Sequence, residues 1–443
     1  MFTQDLPRIR NWIKGQFVEL ADPSSSSGTI QYLPVTSPYN AKTIGYVPLS
    51  SAADVAEAVA AAREAFPAWS SCTIKDRAGI LIRFHALMTK HADVLSDMVV
   101  LEHGKNKAEA LASVSRGQDL VEYAMSLPHL SQTKILEVSR GITCYDSRVP
   151  LGIVASIVPF NFPVMVPLWT LSVAIVMGNT MVLKPSEKVP FTMTKVVELL
   201  KEAGLPDGVI NLVNGTAEAV NALIDHPDVK AVTFAGTSQI AEIIAQRCHS
   251  INKRVLALGG AKNYTVSAPD CDIELTSTDL VESYGGCSGE SCMAPTVLLT
   301  IGHQQDLIDK IVSKSEAIRP GSLDGQMGPV IDQVALDSIT RRIDEAEVSG
   351  ARILVDGRRW TKDRPEGYWV GPTVILHTNK QDALLHEELF GPVLSILEVE
   401  TAEEAIAFEN ANPYGNGAGI YTSSGATADF FIKRFNAGMC GIK

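Results

Sequence analysis

Between residues 150 and 257, short runs rich in β-branched residues alternate with helical runs, and this alternation limits the possible folds most strongly. The expected strands are Ile153–Val158, Thr180–Leu183, Ile210–Val213, Ala231–Phe234 and Val255–Leu258. The expected helices are Val164–Met177, Thr192–Ala203, Ala217–Ile224 and Ile240–Cys248. Strand starts recur about every 20 to 30 residues, as in βαβ units of a parallel sheet. We therefore expect a doubly wound, nucleotide-type α/β domain with its ligand crevice at the carboxyl ends of the strands.

The segments on either side of this region have different patterns. The first 50 residues are expected to be irregular, and helices are expected at Ala52–Trp69, Asp76–Glu102 and Glu109–Met125. Leu136 to Arg148 is expected to form strands, as an arm that leaves the body of the protein. A second α/β pattern runs from about 259 to 430.

The segment Val149–Leu183 contains no charged residue or histidine and is long enough to span a bilayer. However, Pro150, Pro159, Pro163 and Pro167 interrupt it. A buried strand, a loop and a buried helix explain this composition better than a membrane helix does.

Composition limits the class of protein and of partner. A length of 443 residues indicates two or three domains. A net charge of −12 argues against nucleic acid or an anionic membrane as the main partner. The 7 cysteines show no zinc-ligand spacing, so no metal site is expected. Scattered, unpaired cysteines indicate a reducing compartment, and we expect the cytoplasm.

The sequence lacks the common phosphate-binding loops, GxGxxG after the first strand and GxxxxGK[ST]. Lys184 and Glu187 instead follow a predicted strand, where a lysine and a carboxylate could hydrogen-bond the hydroxyls of an adenosine ribose. The alternative is a solvated turn with Ser186 as a helix N-cap.

Cys292 lies in the loop Gly285-Gly286-Cys287-Ser288-Gly289-Glu290-Ser291-Cys292-Met293, just before a predicted strand. Small residues allow a ligand to approach the backbone, and a thiolate nucleophile needs such a partly open site. Cys287 is the rival nucleophile, and a packing cysteine in a glycine-rich turn is the alternative for both.

Asn161 stands in Pro159-Phe160-Asn161-Phe162-Pro163, inside the uncharged segment. A buried amide must find hydrogen-bond partners, and its NH₂ group is a suitable donor to an oxyanion. The alternative is an asparagine that is satisfied by the backbone of a turn.

Seven motifs, in order, carry a family resemblance over almost the whole chain. They are Pro159-Phe160-Asn161-Phe162-Pro163, Gly178-Asn179-Thr180 with Lys184-Pro185-Ser186-Glu187, Gly204-Leu205-Pro206-Asp207-Gly208-Val209 with Asn211 and Gly215, Phe234-Ala235-Gly236-Thr237, Leu258-Gly259-Gly260, the Cys292 loop, and Glu387-Glu388-Leu389-Phe390-Gly391-Pro392. The chain resembles the aldehyde dehydrogenase superfamily. Within it, Gly260-Ala261-Lys262-Asn263, Gly289-Glu290, Met293-Ala294, Glu102-His103-Gly104-Lys105 and Arg116-Gly117 are most similar to the malonate or methylmalonate semialdehyde branch.

The resemblance implies an α/β fold with a Rossmann-type NAD-binding domain, an α/β catalytic domain and a small oligomerisation arm. It places the NAD-binding domain at residues 1–135 and 149–257, the arm at 136–148 with the C-terminal end, and the catalytic domain at 258–431. It also implies a homo-oligomer, a dimer or a tetramer.

The resemblance also implies a role for each candidate residue. Cys292 would attack the aldehyde, and Asn161 and the Cys292 N–H would hold the oxyanion. Lys184 and Glu187 match the adenosine-ribose contacts, and the Glu187 carboxylate would repel a 2′-phosphate, which favours NAD over NADP. The remaining matches to cofactor-binding positions are Phe160, Gly215, Gly236, Thr237, Glu388 and Phe390.

Release of the acyl group divides the family. Hydrolytic members carry a glutamate before the Leu-Gly-Gly sequence as a base for water, but this chain has Ala257 there. The semialdehyde branch also lacks this glutamate and passes its acyl group to coenzyme A, which we expect here as a co-substrate.

This chain departs from the branch at three places. Arg116 matches one of two arginines that bind the substrate carboxylate, but Ser291 stands in place of the second. Ala241 replaces a glycine of a helix that approaches the cofactor, and the chain ends at Lys443, several dozen residues before the family's end. The resemblance implies that this tail contributes to the substrate tunnel and the partner contact. The alternatives are an aldehyde dehydrogenase of other specificity that releases a free acid, or a catalytically impaired member that binds nucleotide.

Overall fold

The structure, a computed structural model, describes residues 6–19 and 31–443. The chain divides into two compact units. Unit 1 is Met1–Ser37, Lys42–Glu102 and Ala110–Gly259, and unit 2 is Pro38–Ala41, His103–Glu109 and Gly260–Lys443. The functional domain boundaries inferred from the resemblance stay predictions.

The strands, numbered in chain order, are β1 (Asn11–Ile13), β2 (Gln16–Val18), β3 (Tyr32–Thr36), β4 (Thr43–Pro48), β5 (Lys134–Ser139), β6 (Ile142–Asp146), β7 (Ile153–Ile157), β8 (Thr180–Lys184), β9 (Ile210–Leu212), β10 (Val229–Ala235), β11 (Arg254–Leu258), β12 (Asn263–Ser267), β13 (Pro295–Ile301), β14 (Arg319–Pro320), β15 (Gln326–Met327), β16 (Arg352–Val355), β17 (Thr373–His377), β18 (Val393–Val399), β19 (Gly417–Tyr421) and β20 (Met439–Ile442). The helices are α1 (Ala52–Ser71), α2 (Ile74–Lys90), α3 (Ala92–His103), α4 (Lys107–Leu130), α5 (Met165–Val176), α6 (Phe191–Glu202), α7 (Ala217–Asp225), α8 (Ser238–Ser250), α9 (Ile273–Gly285), α10 (Gln305–Ala317), α11 (Gln333–Val348), α12 (Arg359–Asp363), α13 (Ala383–His386), α14 (Ala402–Asn410) and α15 (Gly425–Ile432), with a short 3₁₀ helix at Gly286–Gly289.

The main sheet of unit 1 has the strand order β11-β10-β7-β8-β9-β1-β2. Strands β7 to β11 run parallel, and β1 pairs antiparallel with β9 and β2. Alternate residues point to opposite faces, so Met181 and Leu183 pack into one apolar core and Val182 into another. The first core includes residues of α2, α5 and α6, and the second includes residues of α1, α7 and α8. The predicted doubly wound α/β domain is therefore confirmed.

The sheet of unit 2 has the order β16-β17-β18-β13-β12-β19-β20. All neighbours pair in parallel except β16 and β17. Residues of α14 and α15 pack on one face and residues of α9 and α10 on the other. The second predicted α/β pattern thus also forms a sheet covered by helices on both faces.

Two predictions about elements near the N-terminus are wrong. The first 50 residues contain β1 to β4 in their described part, and residues 20–30 lie outside the described residues. Strands of 3 residues such as β1 are too short to show a period. The helix expected over Asp76–Glu102 is two helices, α2 and α3, that meet at His91. Lys90 ends α2 and Asp93 lies in the first turn of α3, a charge order that favours a helix end followed by a helix start.

The strands expected at Leu136 to Arg148 form an antiparallel hairpin, β5 and β6, in a sheet of their own. Every residue of both strands is exposed, including Ile135, Leu136, Val138 and Tyr145. The hairpin therefore presents an apolar surface to solvent.

The uncharged segment Val149–Leu183 folds into β7, a loop, α5 and most of β8, as expected. Among the described residues, every helix is too short or too polar to cross a membrane.

Glu102 is a fully buried carboxyl of unit 1 that accepts hydrogen bonds at the start of α6. It accepts from Phe191 N at 2.7 Å, from Thr192 N at 3.0 Å and from the Thr192 hydroxyl. Burial raises the pKa of Glu102 from 4.5 to about 7, although these hydrogen bonds lower it. The folded state therefore binds the Glu102 proton more tightly than the unfolded state does.

We expect this preference to make stability depend on pH. The contribution of Glu102 is fully present below pH 4.5 and is lost as the pH rises through about 7. The loss is about 3 kcal/mol. Glu102→Gln removes the titration. The melting temperature of the variant minus that of the unmodified protein should therefore be more positive at pH 8 than at pH 5. The control is Glu198→Gln, an exposed residue of α6, the helix whose start Glu102 contacts, and it should show no such difference.

Candidate active site

Lys184 and Glu187 lie at the carboxyl end of β8 in unit 1. Lys184 is the last residue of the strand and is buried, and its Nζ lies 2.9 Å from Glu187 Oε2. Burial raises the pKa of Glu187, but the Lys184 ammonium and hydrogen bonds outweigh this effect and hold the pKa below its ordinary value. The pair thus presents an ionised carboxylate and an ammonium group at the strand end.

Five further candidate residues of unit 1 also follow the carboxyl ends of parallel strands. Phe160 and Asn161 follow β7, Gly215 follows β9, and Gly236 and Thr237 follow β10. Asn161 is only 4% exposed. Thr237 is the N-cap residue of α8, and Gly215 has a φ of 136°, which a residue with a side chain rarely adopts. The structure therefore brings these residues to one edge of the sheet.

Arg116 lies on α4, with its side chain 75% exposed. Its guanidinium is 3.3 Å from the Asp119 carboxylate, so part of its charge is already balanced. Ser291 is half-buried, and its hydroxyl accepts a hydrogen bond from Met293 N at 3.3 Å. Ser291, at the position of the second arginine implied by the resemblance, is thus neutral, and its hydroxyl is hydrogen-bonded within its own turn.

In unit 2, the loop that carries Cys292 packs against the loop Glu388–Gly391. Cys287, Ser288 and Gly289 have φ values of 53°, 55° and 71°, which turn the chain sharply before Cys292. A β-carbon at Gly289 would lie 2.1 Å from the carbonyl oxygen of Gly391, so only glycine allows this approach. The half-buried Cys292, Glu388 and Phe390 are therefore carried by two adjoining loops.

Glu388 is held by a third segment, Gly260–Asn263, which precedes and begins β12. The N–H of Ala261 donates to Glu388 Oε1 at 2.8 Å, and a β-carbon at Gly260 would lie 2.2 Å from Glu388 Oε2. Burial raises the pKa of Glu388, and Lys262 counteracts this. Burial lowers the pKa of Lys262 to about 7, although Glu388 raises it. Burial therefore favours the neutral forms of both side chains.

The two rival cysteines have different surroundings. Burial raises the pKa of Cys292, and the Glu388 carboxylate raises it further. Burial also raises the pKa of Cys287, near Lys105 and Glu109, and its backbone N–H donates to Glu109 Oε1 at 2.8 Å. Of the two, Cys292 is the cysteine whose thiol titrates under the influence of the candidate cofactor carboxylate.

Two functional candidates were missed by sequence reasoning, Asn263 and Asn416. Asn263 Nδ2 donates to the carbonyl of Cys292 at 2.8 Å, and Asn416 Nδ2 donates to the same carbonyl at 2.7 Å. Asn263 belongs to a motif of the branch, which was a usable signal, whereas nothing in the sequence distinguished Asn416.

We expect the Glu388 charge to slow alkylation of Cys292 at neutral pH. Glu388→Gln removes that charge, so the pKa of Cys292 should fall and iodoacetamide should modify it severalfold faster at pH 7.5. The rate is measured by mass spectrometry of the Cys292 peptide. The control is Glu387→Gln, because Glu387 is exposed and ion-paired with Arg342. Equal rates in all three proteins would contradict the electrostatic coupling.

Comparison with known proteins places this geometry in a family. The model of the aldehyde dehydrogenase family matches residues 24–443. A malonate-semialdehyde dehydrogenase 2 of Geobacillus kaustophilus is 39% identical, and the match covers 99% of this chain and 90% of the relative. The acylating mitochondrial methylmalonate-semialdehyde/malonate-semialdehyde dehydrogenase of Rattus norvegicus is 37% identical, covering 99% and 82%.

Solved structures agree with the sequence comparisons. A Sinorhizobium meliloti protein, crystallised in complex with NAD, has a TM-score of 0.95 and 35% identity, with 99% of this chain and 90% of that one covered. The expected resemblance to the semialdehyde branch and the expected fold class are thus confirmed. With the match over residues 24–443, the chain belongs to the aldehyde dehydrogenase family.

Proposed function

We propose that this chain catalyses the NAD-dependent oxidation of malonate or methylmalonate semialdehyde and transfers the acyl group to coenzyme A. The observation that carries the proposal is the packing of the Cys292 loop against Glu388–Gly391. The segment Gly260–Asn263 hydrogen-bonds both loops, at the Cys292 carbonyl and at the Glu388 carboxylate. The glycines of these segments allow close packing, which brings the Glu388 carboxylate near enough to the half-buried Cys292 thiol to act on its pKa. The names of the relatives support the choice of aldehyde.

The first chemical step uses the Cys292 sulfur. Its thiolate forms a bond to the aldehyde carbon, and the carbonyl electron pair moves to oxygen. We assign the backbone N–H of Cys292 and, from the family resemblance, the Asn161 side chain as donors to this oxygen. The thiol proton must first pass to solvent to give this thiolate. Because the pKa of Cys292 is raised, the thiolate fraction at neutral pH is small, and the rate of this step should increase with pH.

The residues of unit 1 fit NAD by their donor chemistry. The ionised Glu187 and the Lys184 ammonium suit the two hydroxyls of an adenosine ribose, and the N-terminus of α8 at Thr237 suits a pyrophosphate. Phe160, Gly215 and Gly236 are assigned to the same cofactor site, and Glu388 and Phe390 to the nicotinamide ribose and ring. Bound NAD supplies the hydride acceptor, and the carbon bonded to Cys292 becomes a thioester.

Coenzyme A then resolves the thioester. Position 257, on β11, holds alanine, which cannot take a proton from water. The thiolate of coenzyme A forms a new bond to the acyl carbon, and the bond to Cys292 breaks with return of its thiolate. Because alanine at this position provides no base for water, coenzyme A and not water is the acceptor of the acyl group.

Arg116 is assigned to the substrate carboxylate. Its exposed guanidinium already contacts Asp119, and Ser291 provides no second positive charge. Charge-assisted contacts are the strong ones, so one arginine holds a carboxylate more weakly than two. This observation favours a second candidate function, oxidation of an aldehyde without a carboxylate.

We also propose a homo-oligomer in the cytoplasm. The hairpin β5–β6 exposes Ile135 by 64%, Leu136 by 65% and Tyr145 by 67%, and a second copy would cover these side chains. All seven cysteines are free thiols, as is usual in a reducing compartment. The net charge of −12 disfavours nucleic acid and anionic membranes as partners. Light scattering of the purified chain tests the assembly, and a monomer would contradict it.

The proposed function is tested by NADH formation from malonate semialdehyde and from propanal, each with and without coenzyme A. We expect a rate that needs coenzyme A, equimolar acyl-CoA and NADH, and a lower KM for the carboxylated aldehyde. A lower KM for propanal would support the second candidate. Equal rates without coenzyme A would show that water resolves the thioester.

A further inference from the structure

We propose that Asn263 and Asn416 are positioning residues for the nucleophile, which they hold through the main-chain carbonyl of Cys292. The proposal rests on the assignment of Cys292 in the proposed function. We call the two side-chain amides together the amide clamp.

Both amides of the clamp donate to one oxygen. Asn263 Nδ2 lies 2.8 Å and Asn416 Nδ2 lies 2.7 Å from the carbonyl oxygen of Cys292. A carbonyl oxygen has two lone pairs, so the clamp occupies both. The peptide that follows Cys292 is therefore fixed in direction from two sides.

The clamp is built on the sheet of unit 2. Asn263 is the first residue of β12 and is only 6% exposed, and Asn416 directly precedes β19, which pairs with β12. Asn263 Oδ1 accepts from Gly417 N at 3.1 Å, and Asn263 Nδ2 also donates to the Ala294 carbonyl at 2.9 Å. One donor thus begins a strand and the other adjoins its paired strand, and such elements are more rigid supports than a loop.

The loop needs such support. Its left-handed turn at Cys287–Gly289 is followed by Cys292, which lies three residues before β13 begins at Pro295. Hydrogen bonds to the Cys292 carbonyl restrict the direction of its Cα–Cβ bond, so they limit the positions that the sulfur reaches in its staggered rotamers. A displacement of about 1 Å in such an arrangement costs up to about 100-fold in rate.

The clamp also links the nucleophile to Glu388. Asn263 bonds the carbonyl of Cys292, and two residues earlier the N–H of Ala261 donates to Glu388 Oε1. One short segment thus fixes the separation of the thiol from the carboxylate that we assign to the nicotinamide ribose.

Asn416 is the better position for a test, because Asn263 also bonds neighbouring strands. Asn416→Leu has a similar volume and lacks both donor hydrogens. Its matched control is Asn410→Leu: Asn410 Nδ2 donates to the Arg434 carbonyl at 3.1 Å, a bond of the same kind that lies outside the Cys292 loop and the segment Gly260–Asn263. Asn416→Asp keeps the shape and removes the donor.

We expect both Asn416 variants to slow the single-turnover burst of NADH about 10- to 100-fold, with a change in aldehyde KM of less than about threefold. Iodoacetamide should modify Cys292 with an unchanged pH profile in Asn416→Leu, because the thiol is misdirected and not differently ionised. The melting temperature should stay close to that of Asn410→Leu, which should have a normal burst.

A normal burst in Asn416→Leu, or an equal loss in Asn410→Leu, would overturn the amide clamp. Cys292→Ala, measured in parallel, separates this failure from that of the proposed function. If Cys292→Ala retains the burst, the assignment of the nucleophile is wrong. If it abolishes the burst while both Asn416 variants react normally, only the clamp is wrong.

Discussion

Cys292→Ala is expected to lower NADH formation by about 10³-fold or more, because removal of a covalent nucleophile leaves only binding and polarisation to assist the reaction. The variant should still bind NAD, since the carboxylate and ammonium groups assigned to the adenosine ribose lie in unit 1. NADH formation followed by absorbance, with NAD binding followed by calorimetry, measures both effects.

Cys287→Ala is the matched control for this result. Cys287 is five residues away in the same loop, and its backbone N–H, which alanine retains, makes the bond to Glu109. Its rate should stay within about threefold of that of the unmodified chain. A loss in Cys287→Ala with activity retained in Cys292→Ala would make Cys287 the nucleophile.

Asn161→Ala is expected to lower kcat by about 10² to 10³-fold, the usual effect of removing one donor to an oxyanion. The aldehyde KM should change much less, because the oxygen carries full negative charge only after attack. Asn161→Asp should be at least as slow, because a carboxylate would repel the developing charge.

Asn179→Ala is the control for general damage to unit 1. Asn179 is also buried, but it precedes β8 at the amino edge of the sheet, where it accepts from Leu151 N at 2.7 Å. Asn179→Ala should lower the melting temperature and leave kcat within about threefold of that of the unmodified protein. Loss of kcat in Asn179→Ala and not in Asn161→Ala would contradict the oxyanion assignment.

The sequence predicted those strands and helices whose hydrophobic pattern extends over enough residues to be recognised. The strands and helices from β7 to β11 lie within a few residues of their expected positions, because each strand is bounded by turn residues. By contrast, β12, β17 and β19 were not predicted. All residues of β12 are buried, but Asn263, Thr265 and Ser267 are polar, so the strand lacks the continuous apolar run that identifies a buried one.

The candidate site was predictable where its residues adjoin such elements. Lys184 ends a strongly patterned strand, and Cys292 stands in a glycine-rich loop before another. The amide clamp was not predictable, because its bonds join residues 29 and 124 positions apart to a main-chain oxygen that has no signature in the sequence. The pKa values of Glu388 and Lys262 likewise depend on burial, which only the fold determines.

The central claim is that an acyl group is carried on Cys292 and leaves with coenzyme A. Mass spectrometry of the protein, quenched after mixing with NAD and malonate semialdehyde, tests it directly. We predict an acyl adduct on the Cys292 peptide that persists without coenzyme A and disappears on its addition, with an equal amount of acyl-CoA formed. NADH formation without an adduct on Cys292, or an adduct that water removes as fast as coenzyme A does, would contradict the account.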